Sequence, residues 1–585
     1  MSPPLRLFWA ALGGVSIAYH LGLIFHGLIP NLVSRPLHMV LVLPWALVFM
    51  AKTRAQMWSG MAITLLGGGA ALWVAVNQDM LGDQYGFLAN DFQRGIAAIL
   101  LLAVLETARR AIGWPLPMVA AAALLYGLFG EHIPGEFGHP GTPLDSFLGT
   151  LTIAEGGIWG SLTAVSVTIV SIFVIFGAVL NAGEAGQGFM NVAAAAAGRL
   201  KGGAAKVAVL SSALFGSISG SASANVASTG AITLPTMTRL GYPKALAGAV
   251  EAVASSGGQI MPPLMGAGAF VMVELTGTPY TGIMAAALLP ALLYFFAVWV
   301  GIDAFATRFE LKGLAPEDRP AARIVAITSG FFLVPFSVLL WGIFVGDYTP
   351  QYAACLAILA GALLLPFGVD LRIDLARTGT RILDACIAAG SQIAIIGAII
   401  LCASIVIGVL GITGLGVKIT SVILSGSGGT LWPALLLTAL ACLVLGMEVP
   451  TTAAYVICVS VAGPALMQLG LTPLLAHLFV FWFALLSTIT PPVCGAVFIA
   501  AGIVGENWLR VALYAMALGL GLYLIPLGMV ANRGLIELAT DPVAALLAMG
   551  KVGAAIALIS VGIITPKHLA IRAGLIAAGG VLLFA

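Results

Sequence analysis

Hydrophobic positions in this chain come in long unbroken runs, not in the alternation of half-buried strands or the narrow stripe of soluble helices. Apolar stretches of about 17–25 residues have the length of a helix that crosses a bilayer. They centre on 8–29, 36–51, 59–77, 94–112, 115–130, 158–182, 244–275, 279–302, 324–345, 350–367, 380–412, 472–505, 509–531, 543–563 and 569–585. Two more, 206–236 and 430–464, are broken near their middles, at Gly216–Gly220 and Gly446–Pro450. Each is read as a helical hairpin that enters and leaves on one side. The pattern predicts an all-α polytopic membrane protein of about 15 transmembrane helices plus two re-entrant helical hairpins.

The breaks follow a pattern written twice, about 229 residues apart. The first copy runs from Gly216 through Pro235 and Gly241 to Pro262-Pro263; the second runs from Gly446 through Pro464 and Gly470 to Pro491-Pro492. The lone proline precedes its pair by 27 residues in both copies, and the glycine precedes it by 21. Gly266-Ala267 and Gly495-Ala496 follow at the same distance. Interrupted apolar segments at matching places in two halves point to a transporter's substrate and ion site, because irregular backbone at membrane depth is tolerated only inside protein or along a cavity.

Basic residues set the topology. With a cytoplasmic N-terminus, 20 of the 25 Lys and Arg fall inside, and Arg35, Arg94, Lys418, Arg533 and Lys551 fall outside or within spans. Treating either hairpin as a single span inverts everything after it and removes the bias. The same count puts hairpin 206–236 on the cytoplasmic side and hairpin 430–464 on the outer side, which makes the repeats inverted. Inverted repeats permit elevator-like alternating access of a mobile part against a scaffold. The expected parts are a four-helix domain over 1–113, a connecting helix and outer interfacial segment over 114–157, repeat I over 158–367, repeat II over 380–531 and C-terminal helices over 532–585. Arg6 followed by Phe8–Ile29 has the charge layout of a signal peptide, but the apolar stretch is long enough to span and is read as the first helix.

Composition agrees with a membrane protein: 60% hydrophobic and 8% charged residues, with a mean hydropathy of +1.08. The scattered basic residues form no nucleic-acid patch. Six cysteines in apolar segments have no metal-ligand spacing and read as core residues. No cofactor is expected, and no metal besides Na⁺.

Chemistry concentrates at the hairpin tips. Five serines stand among residues 217–229, a density of oxygens that packing alone does not require. Ser219, Ser221 and Asn225, with backbone oxygens near Gly257, Gly258 and Gln259, are the candidates for a first ion site. Glu448, Thr451 and Thr452, faced by Thr488 and Thr490, are the candidates for a second. Ser223, Ser256, Pro262, Pro450 and Pro491, at the same breaks, are the candidates for holding a substrate. Glu448 is either a coupling group or a side chain that snorkels to the outer water.

The stretch Gly216–Asn225, with Leu234-Pro235-Thr236-Met237, Gly241-Tyr242 and Ile260-Met261-Pro262-Pro263, resembles the membrane subunit of tripartite ATP-independent periplasmic (TRAP) transporters. Gly446-Met447, Pro450–Tyr455 and Thr490-Pro491-Pro492 narrow the likeness to fused permeases that serve TAXI-type binding proteins. The resemblance covers about 158–531. It implies a small four-helix subunit fused at the N-terminus and a periplasmic binding protein that delivers an organic acid or amino acid. It also implies import across a bacterial inner membrane, driven by a Na⁺ or H⁺ gradient. Glu448 stands where a small residue is expected in that family, which leaves the coupling ion open. Two other readings remain: a stand-alone ion-coupled carboxylate symporter, and an intramembrane enzyme. The enzyme reading lacks a partnered nucleophile, since His477 alone lies inside a span and the intramembrane acids Glu251 and Glu448 sit in opposite repeats.

Overall fold

The computed structural model describes residues 2–446, 450–492, 494–566 and 568–585, and Ser219 by its backbone alone. The chain is an all-α polytopic membrane protein. Among the described residues ten helices are long and apolar enough to cross a membrane by length and composition, from Pro3–Phe25 to Pro542–Ile564. The spans expected at 115–130, 350–367 and 569–585 form shorter helices, Pro115–Phe129, Pro350–Leu364 and Leu569–Phe584.

The repeat written in the prolines and glycines is a repeat of helices. The second hairpin arms, Ala222–Arg239 and Thr451–Gln468, both have 18 residues. Next come Lys244–Gly257 and Pro473–Leu486, 14 residues each, then Ala267–Thr276 and Gly495–Val504, 10 residues each. Gly241 and Gly470 close the second arms at φ +83° and +94°, a region that suits glycine because a Cβ would clash there. Both Pro-Pro bonds are cis. Two helices extend the repeat beyond the sequence reading: Ala185–Ala197 before the first hairpin and Leu415–Gly426 before the second. At 13 and 12 residues they are too short to register as spans, so hydropathy alone passed over them.

The centre of the molecule is the 39-residue helix Leu375–Thr413. Asp374 caps its start, accepting from the Arg377 backbone N–H at 3.0 Å, and Gly414 ends it in the left-handed region. No proline interrupts it. At 1.5 Å per residue it is about 58 Å long, well beyond the roughly 30 Å of bilayer core. The N-terminal helices pack on it through small residues: a Cβ at Gly13 would lie 2.1 Å from the Cys386 carbonyl oxygen, and one at Gly390 2.3 Å from the Trp45 ring. His20 Nε2 and His38 Nδ1 lie 2.8 Å apart, and His38 Nε2 reaches Ser166 Oγ at 3.2 Å, which ties the first two helices to Ser161–Ala182.

Ion pairs and charged hydrogen bonds fall into two separate sets. Three of the basic residues placed outside or within spans are held by the 114–157 segment or its continuation. Arg35 pairs with Glu155 at 3.1 Å, Arg94 with Asp145 at 2.6 Å, and Lys418 Nζ donates to the Gly138 carbonyl. Residues expected inside pair among themselves: Arg6 with Asp384 at 2.6 Å, Lys206 with Asp303 at 2.6 Å, Arg239 with Asp318 at 3.2 Å, and Arg381 with Glu184. Among the described residues no ion pair joins one set to the other.

Candidate functional site

The first hairpin turns at Gly220-Ser221. Gly220 adopts φ +61° and its N–H donates to Gly216 O at 3.0 Å, while Ser221 Oγ caps the second arm by accepting from Ala224 N at 3.3 Å. The arms are stitched together by Asn225, fully buried, whose Nδ2 donates to Ser212 O at 2.9 Å. This hairpin lies against the break in Lys244–Gly257 with no room to spare. A Cβ at Gly216 would come 2.6 Å from both Asn225 Nδ2 and Gly258 Cα, and one at Gly258 would come 2.4 Å from Gly216 Cα. Only glycine at both positions lets the two backbones approach so closely.

The second hairpin has arms Leu431–Leu445 and Thr451–Gln468. Its tip residues Met447, Glu448 and Val449 lie outside the described residues, so the Glu448 reading concerns a position the structure does not describe. The two repeats join at their breaks: Ser256 Oγ and Thr488 Oγ1 lie 2.8 Å apart. Thr490 Oγ1 pairs with the Tyr523 hydroxyl at 2.7 Å, and His477 Nδ1 pairs with the Tyr455 hydroxyl at 2.8 Å. His477 is thus a satisfied core residue.

Between the hairpins lies a cavity of about 390 Å³. Its lining includes the ends of eight helices. Gly220, Gln259, Gly446 and Thr488 stand just after the C-terminal ends of four α-helices, at or beside the caps, Gln259 in the 3-10 turn that continues Lys244–Gly257. Ala222, Ala267, Thr451 and Gly495 are the first residues of four others. Helix starts carry partial positive charge and free N–H donors, and helix ends carry partial negative charge and free carbonyls. A chamber with both can hold an anion and a small cation side by side without a formal charge of its own. Its described lining has no Lys, Arg, His, Asp or Glu; the polar groups are Ser221, Ser223, Gln259, Thr451, Thr452, Ser487 and Thr488. The opposite wall is apolar, from Ile395, Ile396 and Ile399 of the central helix and Val170, Phe173 and Val174 beside a π-helical turn at Ser166–Val170.

Residues 99–543 match the family described as "Tripartite ATP-independent periplasmic transporter, DctM component". The chain belongs to this family. It is a transporter component and not an enzyme. Among its relatives, the C4-dicarboxylate TRAP transporter large permease protein of Pseudomonas aeruginosa is 26% identical over 340 residues, 57% of this chain and 77% of that protein. The isethionate TRAP transporter permease protein of Oleidesulfovibrio alaskensis is 25% identical over 439 residues, 71% of this chain and 68% of that protein. The ectoine TRAP transporter large permease protein of Halomonas elongata is 25% identical over 258 residues, 43% of this chain and 56% of that protein.

In this DctM-family chain the candidate residues divide by position. Ser221, Ser223, Gln259, Pro450, Thr451, Thr452 and Thr488 line the central cavity. Asn225, Gly258 and Ser256 lie immediately behind it, holding the first hairpin and the two breaks together. Gly257 faces the other way, since a Cβ there would meet the Tyr294 ring at 2.2 Å. Pro262, Pro491 and Thr490 are outside the lining and shape the breaks from behind. The Ser219 side chain lies outside the described residues. Sequence reasoning missed the isoleucines of Leu375–Thr413, which look like any apolar face, and the four hydroxyls around Glu251, which are spread over 44 residues of sequence from Ser212 to Ser255.

Proposed function

We infer that this chain is the membrane permease of a TRAP transporter with the small and large membrane subunits fused. It imports a small organic acid or amino acid handed over by a periplasmic TAXI-type binding protein across the bacterial inner membrane, driven by a Na⁺ or H⁺ gradient. The observation that carries this reading is the cavity, uncharged over its described lining, where eight helix ends converge from two repeated halves. Helix N-termini suit a carboxylate, and carbonyl-bearing ends with hydroxyls suit a monovalent cation. The relatives named for a C4-dicarboxylate, isethionate and ectoine are named for small organic solutes that bear an acid group.

The fusion rests on residues 1–112, whose helices pack on one another and on Leu375–Thr413. They add an outer surface without adding to either repeat, and a docking binding protein needs such a surface. The elevator reading rests on the hairpins and broken spans. These hold each other through Gly216–Gly258 and Ser256–Thr488, while the cavity's apolar wall belongs to the central helix and Ser161–Ala182, a face along which a body can slide without breaking hydrogen bonds. Ser221, Asn225 and the carbonyls near Gly258 form one ion site in this reading, and Thr451 and Thr452 with Glu448 form the other.

Reconstitution tests it. Proteoliposomes containing the chain should accumulate the acid retained by the cognate binding protein only when that binding protein and an ion gradient are both supplied. Saturable uptake without any binding protein would favour the stand-alone symporter instead.

A further inference from the structure

Glu251 lies in the middle of Lys244–Gly257 with 0% of its surface exposed. A carboxyl group at that depth needs partners, and four hydroxyls supply them. Ser212 Oγ lies 3.2 Å and Ser255 Oγ 3.3 Å from Oε1; Thr229 Oγ1 also bonds Oε1, and Thr233 Oγ1 bonds Oε2. Among the described residues no cation pairs with it. The charged and titratable groups on the helices packed around it are engaged elsewhere. Lys206 pairs with Asp303 and Arg239 with Asp318, while Lys244, Arg308 and Arg510 are exposed. The Tyr294 hydroxyl donates to Val253 O, the Tyr280 hydroxyl to Leu264 O, the Tyr242 hydroxyl accepts from Ala205 N, and the Tyr514 ring rests on Phe305.

Counting hydrogens shows what this cage can do. Each hydroxyl has one hydrogen to donate. Thr229 Oγ1 lies 2.8 Å from Asn225 O and Thr233 Oγ1 3.1 Å from Thr229 O, the carbonyls one turn back in their helix. Both threonines therefore have a further acceptor in reach besides the carboxylate. With Glu251 ionised, they donate to the carboxylate. With Glu251 protonated, its own O–H donates to one of them, and that hydroxyl turns back to its helix carbonyl. Either state is satisfied by rotating hydroxyl hydrogens, with no side chain displaced.

The cage also lies between two cavities. Thr233, together with Asn191 and Thr236, lines a second cavity of about 390 Å³ that carries Arg239, Glu317, Asp318 and Arg319. Thr229 lies 3.3 Å from Asn225 Oδ1, one turn from Ser221 at the wall of the central cavity.

We propose that Glu251 is the binding site of the coupling proton, loaded and unloaded through Thr233 on one side and through Thr229 and Asn225 on the other. The inference rests on the permease reading above and names its coupling ion. A proton from water adds to one Glu251 oxygen and gives a neutral carboxylic acid. Its release to water on the far side restores the carboxylate, with no electron transferred. The neutral form lets the helix carrying it move across the bilayer without a buried charge.

Difference infrared spectra of the full chain in lipid bilayers, recorded between acidic and alkaline buffer, read this site with the proton itself as probe. The wild type should show a carboxylic-acid C=O band that is lost as pH rises and is missing in Glu251→Gln. Identical spectra from the two proteins would overturn the proposal. Should Glu251→Gln not fold, Thr233→Val keeps the carboxyl and should slow the band's response to a pH jump; an unchanged response overturns the route. Proteoliposomes with the cognate binding protein separate this inference from the reading beneath it. Accumulation of the acid eluted from the binding protein, driven by Na⁺ alone with no acidification of the lumen, overturns the proton site and leaves the permease standing. No accumulation under any gradient overturns the coupling together with the permease reading.

Discussion

One added methyl group at Gly216 tests whether the first hairpin docks on the broken span as described. Its Cβ would sit 2.6 Å from Gly258 Cα and from Asn225 Nδ2, where carbon atoms rest at about 3.5–4.0 Å. Backbone cannot swing aside as a side chain can, so hairpin and span must part by roughly 1 Å. The parting stretches the Asn225–Ser212 bond that joins the arms. Overpacking of this kind costs about 1–3 kcal/mol, which corresponds to a roughly 5–150-fold rise in the opening equilibrium of the hairpin. Alanine also stabilises a helix by about 1 kcal/mol relative to glycine, so the control is Gly69→Ala, at an exposed helical glycine with nothing within 4 Å of its Cβ position. The assay is hydrogen–deuterium exchange of the amides in Ala222–Arg239, whose rates follow local opening. Gly216→Ala should accelerate them by that factor, and Gly69→Ala should leave them unchanged. Wild-type protection in Gly216→Ala would refute the close approach of Gly216 and Gly258.

Three further outcomes are expected. Ser256→Ala and Thr488→Val should each destabilise the protein by about 0.5–1.5 kcal/mol, and the double variant should cost less than their sum, because they share one hydrogen bond; thermal unfolding in detergent reads this, and additive effects would count against the bridge. Arg381→Ala should cost about 3–5 kcal/mol, since this mostly buried guanidinium holds Glu184 and the carbonyls of Leu365 and Phe367; unfolding within error of the wild type would contradict it. Lys201→Cys should be labelled by an impermeant thiol reagent only from the cytoplasm and Glu136→Cys only from the periplasm, both residues being exposed; the reverse pattern would invert the topology.

The repeat was legible because its punctuation is chemical. Pro235, Gly241 and Pro262 each forbid or demand a backbone conformation, and their spacing reappears as helices of equal length. The tips were legible because serine and threonine stand out in an apolar chain, and Ser221, Ser223, Thr451 and Thr452 do line the cavity. What escaped the sequence depends on direction. Ser256 and Thr490 look alike in a string of letters, yet one bridges the repeats and the other bonds Tyr523. The short helices Ala185–Ala197 and Leu415–Gly426 are stabilised by packing, which hydropathy does not record. Glu251 was seen as an isolated acid because its partners come from three helices that only the fold brings together.

The central claim is that the cavity between the two hairpins is the transport site, opening in turn to each side of the membrane. Impermeant thiol labelling of Ser223→Cys, in a chain whose six native cysteines have been replaced, tests it most directly. With transport activity retained, the account predicts labelling from either side of the membrane, with the balance between sides shifting when the loaded binding protein and the ion gradient are supplied. Labelling from one side only, unchanged by binding protein or gradient in an actively transporting protein, would contradict it.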